Sequence, residues 1–279
     1  MRRAPPSLAV AAIAVGLLGA PRADAFLCTR AGADGPSLAW GPRTIELRRS
    51  GAGAEVAEAD VERVALASMA PWNLLDCSDV SLVLGEPTVA RLAGFDWAAG
   101  SGQAGNENLL VFRNDDPSDP VDAWLHQLGA LAITTVTFES NEGKLLDADI
   151  EVNDTSFSFT SCDPEDDGCA VDFDLQNTLT HELGHVLGLD HSADGAATMF
   201  ASAPRSDTSK RTLSADDEAA ICTVYPAGGP AGECFGVARE APPNVRFEPT
   251  VCGAGAGAPT GLALIALYFA RPRTRRRGG

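Results

Sequence analysis

The chain has 279 residues, with 21 basic and 38 acidic side chains, and its formal net charge is −17. So acidic a surface disfavours binding to nucleic acid and to anionic membranes. The length suits one domain of substantial size with additional terminal segments.

The first 25 residues have the features of a secretory signal peptide. Arg2 and Arg3 provide a basic start, an apolar stretch follows, and the triplet Ala-Asp-Ala before Phe26 is a cleavage site. Export would place the seven cysteines in an oxidising compartment, where disulfides are the default. The short spacing of Cys162 and Cys169 favours a bond between them. For the others we expect the pairs Cys222 with Cys234 and Cys28 with Cys77.

Alternation and β-branched residues predict five strands, at 43–49, 80–84, 109–112, 133–138 and 148–152. An amphipathic helix is predicted between the first two strands, over residues 55–69, ending before Pro71. A second helix is predicted to start at Asp172 or Asp174 and to reach about Leu187. A third is predicted to open with a capping box of Ser214 and Asp217. Strands followed by helices in this order predict an α+β fold.

One eleven-residue stretch, HELGHVLGLDH, carries the clearest chemistry in the chain. His181 and His185 lie four residues apart on one helix face, so both can bind the same metal ion. Gly188 can end the helix in a left-handed conformation, and His191 then adds a third nitrogen. Three protein ligands leave a coordination position open, as in catalytic zinc sites. Glu182 is placed beside the metal and can act as a general base.

This stretch resembles the metal-binding motif of the metzincin zinc endopeptidases. Flanking segments narrow the resemblance to the matrixins, and particularly to compact bacterial matrixin-like proteases, over about residues 40–226. These segments are ADIEVN at 148–153, LQNTLT at 175–180, the pair His191-Ser192, and LSADDE at 213–218 through Tyr225-Pro226.

The resemblance implies a metzincin-like catalytic domain with a five-stranded mixed twisted sheet, an active-site helix and a C-terminal helix. It implies that Met199 is the methionine of the family's Met-turn, beneath the metal. It also implies that a peptide substrate lies along an edge strand, with Ala148, Ile150 and Val152 as the contacts. The sequence departs from the family at Ala201, where a proline is usual.

An acidic loop separates the last predicted strand from the active-site helix. Its carboxylates favour either a solvated loop or a calcium site of hard oxygen ligands, and the sequence leaves both open. The candidate calcium ligands are Asp163, Glu165, Asp166 and Asp167.

The C-terminal part is predicted to lie outside the catalytic domain. Residues 227–251 are rich in Pro and Gly and are predicted to be a linker. Cys252-Gly253 then precedes an apolar stretch and an arginine cluster within residues 252–279. This arrangement resembles C-terminal sorting tags of the myxobacterial kind, in which Cys252 would be the processing or anchoring point. The alternative is a simple membrane anchor.

The sequence therefore predicts a signal peptide at 1–25, a zinc protease domain at 26–226, a linker and a C-terminal sorting or anchor segment. We expect an exported, monomeric zinc endopeptidase with one catalytic Zn²⁺, acting on polypeptides outside the cell or at its surface. Membrane contact is expected through the tail alone, and no contact with nucleic acid. The alternative is a catalytically silent binding or adhesion module on the same fold.

Overall fold

The computed structural model describes residues 25–32, 34–50, 56–97, 106–116, 118, 121–163, 169, 172–234, 236–238 and 246–254. Within these ranges the helices are α1 (Glu58–Asn73), α2 (Leu175–Val186), α3 (Ala215–Val224) and one 3-10 turn, Ser209–Arg211. The strands are β1 (Leu27–Arg30), β2 (Ala39–Trp40), β3 (Thr44–Arg49), β4 (Ser81–Leu84), β5 (Asn108–Arg113), β6 (Ala130–Glu139), β7 (Lys144–Asn153), β8 (Phe159–Thr160), β9 (Phe173–Asp174), β10 (Leu189–Asp190), β11 (Ser202–Ala203), β12 (Gly236–Ala238) and β13 (Arg246–Ala254). No helix in the described part of the chain is long and apolar enough to cross a membrane.

The central sheet is mixed, with the strand order β11-β13-β6-β7-β5-β3-β4. Strands β4, β3, β5 and β7 run parallel to one another, whereas β6 runs antiparallel to β7. All five predicted strands are present, as β3 to β7. The sheet is wider than predicted, because β2, β11 and β13 add to it. Strands β2 and β11 are short, and β13 lies largely in the predicted linker. None of the three has a strong alternating pattern in the sequence.

Helices α1 and α2 pack on one face of the sheet and bury the main apolar core between them. Helix α1 continues through Pro71 to Asn73, so its predicted end was wrong. Tertiary contacts hold this last turn: the buried Trp72 donates its Nε1 hydrogen to the Thr180 carbonyl at 3.0 Å. The Asn73 side chain also pairs with both main-chain groups of Leu82 at 2.8 Å.

The strand predicted to be the substrate-binding edge is an interior strand, and this prediction was wrong. Strand β7 is paired with β5 on one side and with β6 on the other. Ala148, Ile150 and Val152 are no more than 1% exposed, since they face the core beneath the sheet. The β6–β7 hairpin can join a sheet through either of its strands, and here β7 is the one that pairs with β5. The outer strand of the hairpin is therefore β6.

Three disulfides lie within the described residues. The bond Cys162–Cys169 confirms the prediction, whereas the other two predicted pairs were wrong. Cys28 is bonded to Cys234, and Cys77 to Cys222. Both bonds join residues far apart in sequence, so spacing along the chain could not reveal them.

The predicted linker contributes secondary structure to the domain. Strand β12 runs parallel to β1, immediately after the Cys28–Cys234 bond. Strand β13 runs antiparallel to β6 and parallel to β11. Of the segments predicted to be a signal peptide and a sorting tag, residues 1–24 and 255–279 lie outside the described residues.

Candidate metal centre

The structure brings the three motif histidines together at one end of α2. The Nε2 atom of His185 lies 3.1 Å from that of His181 and 3.2 Å from that of His191. Gly188 has φ +88°, the left-handed conformation that lets the chain reverse after α2 and return with His191. In the described part of the chain, this trio is the one group of three or more His, Cys, Asp or Glu residues placed to hold a metal ion.

Main-chain carbonyls orient two of the imidazole rings. The Nδ1 atom of His181 lies 2.6 Å from the Thr198 carbonyl, and that of His185 lies 2.9 Å from the Leu189 carbonyl. A hydrogen on Nδ1 of each ring satisfies these carbonyls and leaves Nε2 unprotonated for a metal. Burial, with the nearby positive charge of Lys210, lowers the pKa of His181 well below its ordinary value. The neutral, ligating form is therefore favoured.

Glu182 is buried beside the histidines, and its two carboxylate oxygens differ. Oε2 accepts a hydrogen bond of 2.6 Å from the hydroxyl of Thr134 on β6. Oε1 is buried and has no hydrogen-bond partner. Burial raises the pKa of Glu182 to about 8, against the opposing effect of the Thr134 hydrogen bond. A buried carboxylate oxygen without a partner is costly, which indicates that this atom is kept for a ligand of the site.

Two aromatic residues hold the end of α2. The indole Nε1 of Trp40 donates to the Val186 carbonyl at 2.7 Å, and the hydroxyl of Tyr225 donates to the Leu187 carbonyl at 2.9 Å. Carbonyls at the end of a helix have no partner within it, so these bonds complete the end of α2. At its start, Asp174 is the cap, accepting from the Asn177 amide at 2.6 Å. The ligand helix is therefore fixed at both ends.

Met199 packs directly against α2, in the turn that follows the third histidine. A side chain at Gly184 would overlap the sulfur of Met199 and the ring of Trp72, which explains the glycine inside the helix. The carboxylate of Asp217 accepts from the amides of Thr198 at 2.7 Å and Met199 at 3.0 Å. Since the Thr198 carbonyl orients His181, helix α3 supports the position of this imidazole ring through the turn.

The capping box predicted at Ser214 and Asp217 is confirmed, but the second role of Asp217 in the turn was not predicted. Asp216 was not predicted either: its carboxylate accepts from the Ser192 hydroxyl at 2.6 Å and from the Phe26 amide at 3.0 Å. Nor was the contact of Thr134 with Glu182 predicted. Asp216 and Asp217 are adjacent at the start of α3, and one acidic residue is enough to cap a helix. The second was the feature of the sequence that could have indicated a further role.

The remaining candidate residues are the predicted calcium ligands and Cys252. Of the predicted calcium ligands, Asp163 is exposed, and Glu165, Asp166 and Asp167 lie outside the described residues, so that site stays a prediction. Cys252 lies on β13.

The residues present fit a zinc ion. Three imidazole nitrogens on a helix and the turn after it are a common catalytic zinc set, and Glu182, whose Oε1 has no hydrogen-bond partner, follows His181 on the same helix. The fold adds a mixed sheet above this helix. Together they define a class of protein with a three-histidine candidate metal centre beneath a mixed sheet, as the resemblance of the sequence to the metzincins implies.

Comparison with known proteins narrows this class. Residues 110–226 match the family model of the matrixins. Metalloendoproteinase 1-MMP of Arabidopsis thaliana is 44% identical over 55 residues, which cover 20% of this chain and 15% of that protein. Macrophage metalloelastase of Oryctolagus cuniculus is 43% identical over 72 residues, covering 26% and 14%. Metalloendoproteinase 1 of Glycine max is 45% identical over 53 residues, covering 19% and 17%.

The chain thus spans less than a fifth of the length of these relatives. The matched region includes β6, β7, the histidine-bearing helix α2 and helix α3. These findings support a matrixin-like zinc metalloendopeptidase.

Proposed function

We propose that this chain is an exported zinc endopeptidase that hydrolyses internal peptide bonds of polypeptides. The observation that carries the proposal is the convergence of His181, His185 and His191 beside a buried Glu182 whose Oε1 atom has no partner. A binding module would have no chemical use for such a carboxylate, and no observation favours the adhesion alternative.

The three histidines would hold the zinc ion, which when bound supplies Lewis-acid activation of water and of the scissile carbonyl. Glu182 accepts a proton at Oε1 from the attacking water as the new C–O bond forms. It then delivers that proton to the amide nitrogen as the C–N bond breaks, so the products are a carboxylic acid and an amine. Thr134 holds Oε2 and thereby fixes the orientation of the carboxylate.

The substrate would bind as an added strand, since a sheet edge offers unpaired main-chain groups to an extended peptide. Strand β6 is the candidate edge, because Thr134 on this strand contacts the general base. This assignment replaces β7, which is paired on both sides by the sheet strands β5 and β6. Beyond β7, strand β6 is paired only by β13, a segment that follows α3 in the chain.

Export is part of the proposal. Three disulfides support an oxidising compartment, where such bonds persist. We also propose that the domain is of the compact bacterial matrixin type, acting as a monomer. In this proposal the chain is displayed at the surface or released through a C-terminal sorting segment at Cys252.

The test compares bound zinc and casein cleavage in the full chain, in Glu182→Ala and in Glu142→Ala. Glu142 lies exposed in the β6–β7 turn and is a matched control. We expect zinc in all three proteins, and cleavage reduced by about 100-fold or more in Glu182→Ala alone. Zinc in all three without cleavage in any would favour the adhesion module. A folded parent chain without zinc would contradict the metal site.

A further inference from the structure

Strand β13 occupies the sheet edge at which the proposed function places the substrate. It runs antiparallel to β6, with Thr250 opposite Thr134 and Cys252 opposite Ala132. Thr134 is the residue whose hydroxyl contacts Glu182, so β13 passes directly beside the candidate general base. On its other side, β13 pairs with β11, which follows the turn that contains Met199. It also contacts the metal-binding helix α2.

The hydrogen-bonding direction of β13 follows from its neighbours. The amide of Ala148 on β7 donates to Asn108 on β5, so the main-chain groups of Ala148 point towards β5. Because this direction alternates along a strand, Ile150 also points towards β5, and the residue between them, Asp149, points towards β6. By the same alternation, Thr134 on β6 directs its main-chain groups away from β7 and towards Thr250. Pro249, which has no N–H, then faces away from β6, as a proline in a strand must. Val251 faces the same way as Pro249.

A covalent tether keeps this segment close. The Cys28–Cys234 bond fixes the chain about twelve residues before Arg246. Short tethers raise the local concentration of a segment to about millimolar, so any free peptide must compete with a strong intramolecular rival.

We propose that residues 246–254 are an internal competitor for the substrate-binding edge of β6, and that a polypeptide substrate binds by displacing them. This inference rests on the proposed function for the identity of the edge. The segment binds as an added strand, through main-chain hydrogen bonds, which is the way we propose for the substrate. Release or removal of the segment would therefore activate the enzyme without any change at the metal centre.

Two proline substitutions in the full chain separate this role from a general loss of structure. Thr250→Pro removes an N–H directed at Thr134, whereas Val251→Pro removes one that faces away from β6. Both are made in the Glu182→Ala background, so that the probe is not cleaved. The probe is a fluorescent synthetic peptide, RFEPTVSGA, which has the sequence of residues 246–254 with serine in place of cysteine.

We expect the probe to bind Thr250→Pro at least about tenfold more tightly than Val251→Pro or the parent. A segment that occupies the edge for about nine-tenths of the time lowers the apparent affinity of a competing peptide about tenfold. Hydrogen exchange at the amides of Ala132 and Thr134 should increase in Thr250→Pro alone when no probe is present. Equal probe affinity in all three proteins, absence of binding to all of them, or rapid exchange of these amides in the parent would overturn the inference.

Casein cleavage by the same proline variants with Glu182 intact completes the test. Cleavage by Thr250→Pro should exceed cleavage by Val251→Pro by a similar factor. If both fail to cleave while the probe binds as expected, the proposed catalytic function is contradicted, and the occupancy of the edge by residues 246–254 stands. If both cleave equally, the competitor role is overturned.

Discussion

Acidic side chains are buried on both faces of the β6–β7 hairpin, but their hydrogen-bond partners differ. On the face towards α2, Glu182 has one oxygen bonded to Thr134 and the other without a partner. On the opposite face, alternate residues of β7 place Asp147, Asp149 and Glu151 in a row, all less than 9% exposed. The first face leaves a carboxylate oxygen available for chemistry, whereas the second uses its carboxylates to hold loops.

The contacts of the opposite face show this structural use. Asp149 accepts from the amides of Gly94 at 2.6 Å and Leu109 at 2.9 Å, which fastens the loop before β5 to the sheet. Glu151 accepts from Arg113 at 2.6 Å and contacts His126 at 3.0 Å. His126 also lies against Trp124, with the two ring centroids 4.9 Å apart. Burial opposes ionisation of Glu151, but these two partners outweigh it and lower its pKa.

The comparison predicts that the largest effect on stability comes from the ion pair between Arg113 and Glu151. Arg113 is 3% exposed, and its guanidinium also donates to the carbonyls of Arg91 and Val121 at 2.9 Å. Arg113→Met leaves Glu151 buried without its charged partner, so we expect the free energy of unfolding to fall by about 3–5 kcal/mol. Urea denaturation of the parent and the variant measures this difference.

The double variant Arg113→Met with Glu151→Gln is the control for that experiment. It removes both charges, so we expect it to recover part of the lost stability. A double variant less stable than Arg113→Met would show that packing, rather than the buried charge, dominates at this site.

A smaller and pH-dependent effect is expected at Asp147. Burial raises its pKa to about 6, and burial together with the charge of Asp147 raises the pKa of Asp149 well above its ordinary value. The folded state therefore holds a proton that the unfolded chain releases near pH 4. This contribution to stability is complete below about pH 4 and declines as the pH rises through about 6.

Asp147→Asn removes the part of this decline that comes from Asp147, since the amide is neutral at every pH and can form a hydrogen bond with Asp149. We expect the variant to match the parent near pH 4 and to be more stable above pH 6, by at most about 3 kcal/mol. Thermal unfolding between pH 4 and pH 8 measures this difference. A gain that is the same at all pH values would contradict the assignment of the proton to this pair.

The two faces also differ in how far the sequence could predict them. The three histidines, the glycine turn and the capping box are local patterns around α2 and α3, and their spacing in the sequence was enough to predict that the histidines converge. The alternation of β7 reveals two faces, but its acidic residues imply an exposed face, and the loop that covers it through Gly94 is distant in sequence. The edge position of β6, two of the disulfides and the pairing of β13 are equally non-local. Each depends on contacts between segments that are distant in the sequence, and the periodicity of the sequence does not indicate such contacts.

The smallest predicted effect is on kcat, and it is tested by a comparison of two threonines on opposite faces of β6. Thr134 donates to Glu182, whereas the hydroxyl of Thr137 is buried on the Asp147 side without a hydrogen-bond partner. A hydrogen bond to a charged group contributes about 1.5 kcal/mol or more, so Thr134→Val should reduce kcat by about tenfold while zinc remains bound. Thr137→Val should leave kcat unchanged and stability equal or higher, because it removes an unsatisfied polar group. Casein cleavage, bound zinc and urea denaturation of both variants provide the measurements. Equal loss of kcat in the two variants would mean that β6 acts only as a scaffold, and that Thr134 does not orient the general base.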